Sequence, residues 1–142
     1  MSPQPPVTTQ ATLVFLRTIH VALMLSMVFY VFMLRLVPSQ NPEPASRALV
    51  YALAAFAATT LVAGQSVRSR KLRVAFETLR TEPSDAKALG LWRVGVIVSD
   101  CCAEAVLLYG FVIHMLGGNN KEVAPFFVVG MAVMVFWWPQ QP

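Results

Sequence analysis

The chain has 142 residues, 56% of them hydrophobic and 13% charged, with a net charge of +4 and a mean hydropathy of +0.60. Soluble domains carry about 25% charged residues, so this balance excludes an ordinary cytosolic enzyme. The hydrophobic content also excludes a wholly disordered chain. The composition predicts one compact all-α domain of a polytopic membrane protein.

Residues 1–12 read as a flexible cytoplasmic leader. Met1 to Gln10 carries no basic residue and three prolines, which does not fit a cleavable signal peptide. Four apolar segments follow, over 13–37, 48–67, 94–116 and 123–138. A spanning helix needs roughly 20 residues, with about 17 to 25 tolerated. A water-soluble bundle would need a polar stripe on every helix. Ala52 to Thr60 and Leu107 to Ile113 contain no charged residue. The expectation is four transmembrane helices over 13–138, arranged as two antiparallel hairpins, with a short polar tail at 139–142. Pro125 falls at the start of the fourth segment, where a first helical turn tolerates it.

The first outer loop holds Pro38, Pro42 and Pro44, which stiffen it. In the central stretch, 68–92 with Arg93 just beyond, Arg68, Arg70, Lys71, Arg73, Arg80, Lys87 and Arg93 face Glu77, Glu82 and Asp85. This stretch accounts for the whole net charge of +4. The positive-inside rule puts it in the cytoplasm with both termini. Arg35, near the outer end of the first segment, is a counter-signal. Within 68–92, Leu72, Ala75, Phe76 and Leu79 recur at helical spacing and predict a short amphipathic helix on the inner headgroups. Pro83 interrupts it. Ser84 is expected to cap a second short helix that runs to Leu89 and stops at Gly90. Trp92, Trp137 and Trp138 fall at the inner boundary, where indole rings settle. Gly117 to Asn120 is a turn signal.

Two lines of small residues predict close helix packing: Ala48, Ala52, Ala55, Thr59, Ala63 and Gly64 on the second span, and Gly95, Ser99 and Ala103 on the third. Cys101 and Cys102 are adjacent, which suits apolar packing rather than a disulfide framework or a metal motif.

Asp100 and Glu104 are the main functional lead. They lie one turn apart on one face of the third span, about 9 and 15 Å into it. A carboxylate there is costly unless paired, hydrated or protonated. The first span runs in the same direction and offers Arg17 and His20 at similar depth. Arg17 is expected to balance Asp100, and His20 to bond to either acid. Thr59, Thr60 and Gln65 are further polar groups that could complete the patch. The cluster Arg17, His20, Asp100 and Glu104 has two readings: a fixed polar network that orients the bundle, or a site that carries or senses a proton or sodium ion. His20 and His114 lie roughly 19 Å apart along the helix axes, which argues against a haem between them. Two carboxylates are too few oxygen ligands for Mg²⁺ or Ca²⁺. No catalytic residue, metal site or resident cofactor is expected.

Ala103-Glu104-Ala105, followed by Leu108-Tyr109-Gly110-Phe111-Val112, resembles the carboxylate-bearing helix of the rotary ATP synthase c-subunit family. The resemblance implies that Glu104 carries a proton or sodium ion and that Gly110 packs helices. It covers part of one span. The family's Gly-rich partner helix has no counterpart, since the second span contains only Gly64; the polar loop before the acidic helix is longer, and Asp100 is an additional acid.

The resulting expectation is a small integral membrane accessory or structural subunit with a buried Asp/Glu cluster. The alternatives are a proton- or sodium-translocating subunit and a haem- or quinone-associated redox subunit. Expected partners are membrane lipids and other membrane-protein subunits or further copies of the chain, and not nucleic acid. The expected location is a bacterial inner membrane.

Overall fold

A computed structural model describes residues 8–38 and 45–142. It contains four helices: α1 (Thr9–Leu36), α2 (Arg47–Thr81), α3 (Ala86–Met115) and α4 (Asn120–Phe136). Pro42, Pro44 and residues 1–7 of the expected leader lie outside the described residues. Each helix starts on a residue whose short polar side chain accepts a backbone N–H of the first turn: Thr8, Ser46, Asp85 and Asn119. This satisfies donors that have no partner inside the helix. Asn119 and Glu122 complete a reciprocal capping box at α4.

α1, α2 and α3 are long and apolar enough to cross a membrane. α4 has 17 residues, about 25 Å of helix, at the lower limit for a span. It begins three residues before the apolar segment, so Pro125 sits in its second turn rather than its first. The missing N–H leaves the carbonyl of Lys121, at the exposed end of the helix, without its helical partner.

α3 is the central element. It packs against the other three helices, whereas α1 and α2 barely touch. The expected hairpin of the first two spans is therefore not a packed unit; α1 leans on α3 instead. The segment 68–92 also differs from expectation. α2 runs unbroken to Thr81 and α3 starts at Ala86, leaving only a turn at 82–85. Asp85, not Ser84, caps α3, and Gly90 lies inside the helix. The physical reason is tertiary. Ala75 and Leu79 pack with Ala88, Leu89, Trp92 and Val96 of α3 and Leu13 and Leu16 of α1, and Leu72 and Phe76 flank this cluster. That apolar face is satisfied by protein rather than by headgroups. Thr9 Oγ1 also donates to the Pro83 carbonyl at 2.6 Å, tying the start of α1 to the turn.

A second apolar cluster fills the other end of the bundle, from Met27, Ala57, Ala103, Val106 and Leu107 to Phe126, Phe127 and Met134. Helices approach closely at glycines. A Cβ on Gly130 would meet the Ala103 carbonyl oxygen at 3.1 Å, and one on Gly64 would meet the Cys102 Cβ at 2.8 Å. The rest of the small-residue line on α2, Ala48, Ala52, Ala55, Thr59 and Ala63, is exposed. Gly64→Ala is expected to weaken the bundle by about 1–3 kcal/mol through overpacking, because the opposing Cβ is fixed to the α3 backbone. Gly90→Ala is expected to stabilise it by about 0.5–1 kcal/mol, since nothing lies within 4 Å of the added methyl. Thermal unfolding in detergent micelles measures both signs.

Candidate functional site

The two apolar clusters meet at a polar layer. On α1, His20 lies between Leu16 of one cluster and Met27 of the other. On α3, Asp100 lies between Val96 and Ala103. Both side chains are fully buried. His20 Nδ1 and Asp100 Oδ2 are 2.8 Å apart, within charge-assisted hydrogen-bond range.

This pair is one rung of a longer series between α1 and α3. Arg93 Nη2 donates to Thr12 Oγ1 at 2.8 Å. Ser26 Oγ donates to Glu104 Oε1 at 2.9 Å. His114 Nε2 donates to the Val37 carbonyl, at the C-cap of α1, at 2.9 Å. From one end to the other the partners are separated in sequence by 81, 80, 78 and 77 residues. The near-constant offset means that α1 and α3 run parallel with matched register. Polar side chains on both helices are thus directed into their common seam, where an interhelical bond replaces the water that an apolar medium lacks.

Further charged and aromatic groups surround the His20–Asp100 rung. Trp138, just past the end of α4, meets the His20 ring edge-on, with centroids 5.1 Å apart at 84°. Arg68 of α2 is buried. Its Nη1 donates to Ser99 Oγ at 3.2 Å and its Nη2 to the Trp138 carbonyl at 3.4 Å. Asp100 attracts the Arg68 guanidinium electrostatically. The Ser99 hydroxyl itself donates a hydrogen bond to the Val96 carbonyl at 2.8 Å.

Of the four residues expected to cluster, three lie in the α1–α3 seam: His20, Asp100 and Glu104. Arg17 does not join them. It is exposed, and its guanidinium carbon stands 5.9 Å from the Trp138 ring centre. His20 and Arg17 are three residues apart, so when His20 faces α3 squarely Arg17 is turned off the seam. The cation nearest in role to the expected partner of Asp100 is Arg68, which the sequence assigns to the central loop. Thr59, Thr60 and Gln65 are also elsewhere. Thr59 donates to carbonyls of its own helix, Thr60 lies 3.5 Å from the Tyr109 hydroxyl, and Gln65 faces a surface groove beside Trp137. His114 stands at the far end of α3 from Asp100.

The site leaves two fully buried atoms without a protein partner among the described residues: His20 Nε2 and Asp100 Oδ1. No group of three or more His, Cys, Asp or Glu side chains among the described residues is placed to hold a metal ion. Cys101 is exposed and Cys102 half-buried, and both are free thiols. The chain matches no family model, and searches of curated proteins and of solved structures found no similar one.

Proposed function

We propose that this protein is a four-span integral membrane accessory subunit, in which the buried acids hold the bundle together. The observation that carries this reading is the series of four polar rungs between α1 and α3. α1 has almost no packing against α2, so the seam with α3 is what retains it. In this reading α4 is the fourth span, and Trp137 and Trp138 sit at the inner interface. The basic α2–α3 turn region faces the cytoplasm, in line with the positive-inside rule. The faces left open for a partner subunit are on α1, where Leu25, Phe29 and Phe32 are more than half exposed, and on α2, along the exposed alanine line.

A second reading has the same site respond to protons. It is favoured by the unpartnered Asp100 Oδ1 and His20 Nε2, since a buried polar atom without a bond is an energetic burden that a proton or a water molecule would relieve. Ion carriage by Glu104, implied by the c-subunit resemblance, has less support, because one of its oxygens is engaged by Ser26.

Native mass measurement from mild detergent tests the accessory role. The expected result is a stoichiometric complex with another membrane protein or a further copy of the chain. A bare monomer that transports ions by itself in purified vesicles would reject it.

A further inference from the structure

We infer that residues 137–142, the segment following α4, form a strap that closes the approach to the His20–Asp100 pair from the end of the bundle that carries the basic residues. α4 packs on α3 and touches α1 and α2 only lightly. Its last residue is Phe136, with Trp137 as the C-cap. Trp137 is level with Gly64 and Cys102: its ring lies 3.2 Å from where a Cβ on Gly64 would stand. α4 runs antiparallel to α3, with Gly110 against Phe126 and Gly130 against Leu107, and by the same register its last turn ends about level with Asp100. The space that another turn of α4 would cover is taken by non-helical chain. Pro139 explains the change of direction, because it has no N–H to continue the helix and disfavours helical backbone at Trp138.

The strap is held from both walls. From α1, Arg17 stands over the Trp138 ring. From α2, Arg68 stands over the Trp137 ring at 5.9 Å and bonds to the Trp138 carbonyl. Pro139 is fully buried, and Gln141 and Pro142 line a surface groove together with Thr9, Gln10 and Leu13 at the start of α1. Trp138 has its edge contact on His20, yet 39% of the residue is exposed. On this side the part-exposed Trp138 ring covers the buried His20. The polar fixings of the strap are one cation–ring contact at each tryptophan and one hydrogen bond of 3.4 Å, all individually weak and reversible. Lifting the ring would uncover the His20 imidazole, whose Nε2, like Oδ1 of its partner Asp100, has no protein partner among the described residues. A seated strap keeps water and protons from the pair, and an unseated strap admits them. The inference rests on this geometry and holds whether or not the protein is an accessory subunit.

The chain has two histidines, which makes an internal comparison possible. Diethyl pyrocarbonate, a water-soluble reagent for neutral imidazole, is applied at about pH 8, above the ordinary histidine range. Labelling at His20 and His114 is read residue by residue by mass spectrometry on the full chain in micelles. The expected result is that Trp138→Gly raises the His20 rate relative to His114 by about tenfold, while Trp138→Phe, which keeps a ring, leaves the ratio near its original value. Unchanged rates at both histidines in Trp138→Gly would overturn the strap. If Trp138→Gly raises both histidines together, the bundle itself has loosened, and Arg17→Gln decides, because it removes one fixing and keeps every ring. A selective rise at His20 in that variant supports the strap, and no rise overturns it.

Discussion

His20→Leu alone is expected to destabilise the bundle by about 3–5 kcal/mol, and Asp100→Leu by a similar amount. Each leaves one polar group of the pair buried without its partner, at a position with no access to solvent. The double variant His20→Leu/Asp100→Leu is expected to recover most of the loss, because the layer lies between two apolar clusters that accept leucine on either side. The recovery is incomplete, since Arg68 loses the attraction of Asp100. A double-mutant cycle on reversible unfolding in mixed micelles isolates the coupling, which is expected to exceed about 3 kcal/mol, because the second substitution relieves the loss caused by the first. Additive losses would mean that the two side chains do not depend on one another.

Trp92→Ala is expected to cost about 3–5 kcal/mol, the range for emptying a large aromatic site in a packed core. Trp92 is fully buried. It stacks edge-on against Phe76, with centroids 5.9 Å apart at 78°, and is walled by Leu13 and Leu16 of α1 and Ala75 and Leu79 of α2. Its indole nitrogen has no protein partner among the described residues, so Trp92→Phe loses packing but no hydrogen bond and is expected to be much milder. The comparison separates two arrangements of the segment 68–92. An indole lying among headgroups would lose little on replacement, and a Trp92→Ala effect under about 1 kcal/mol, the scale of an ordinary surface substitution, would favour that arrangement. The same unfolding measurement reads it.

The helices were largely legible because their signals are local. The apolar runs are long enough to identify, whereas the caps are less distinct: Ser84 looks as able to cap as Asp85, which takes the position. The spacing of Asp100 and Glu104 places both on one face of α3, and His20 falls at the matching depth of α1. What the sequence hides is what each face meets. The helical repeat of Leu72, Ala75, Phe76 and Leu79 looks the same on a membrane surface as in a three-helix core, and only α1 and α3 decide between them. Arg17 and Arg68 present a similar problem. Periodicity sets where a residue lies around its own helix, but the order in which helices surround α3 sets which arginine comes near Asp100. Ser26, a small hydroxyl within an apolar run, had depth and helical face as its only signals. Trp138 is recognisable as an interfacial residue, whereas its contact with His20 depends on where α4 ends.

The central claim is that α1 and α3 lie side by side and parallel, joined through their polar seam. Short-span thiol cross-linking in native membranes tests it directly, with Cys101 and Cys102 replaced by alanine and new cysteines placed by Ser26→Cys and Glu104→Cys. The expected result is an efficient cross-link within one chain, because these side chains touch across the seam. Leu25→Cys paired with Glu104→Cys is the control and is expected to react poorly, since Leu25 points outward and is 65% exposed. Equal yields from the two pairs, or a Ser26–Glu104 link formed only between separate chains, would contradict the parallel seam.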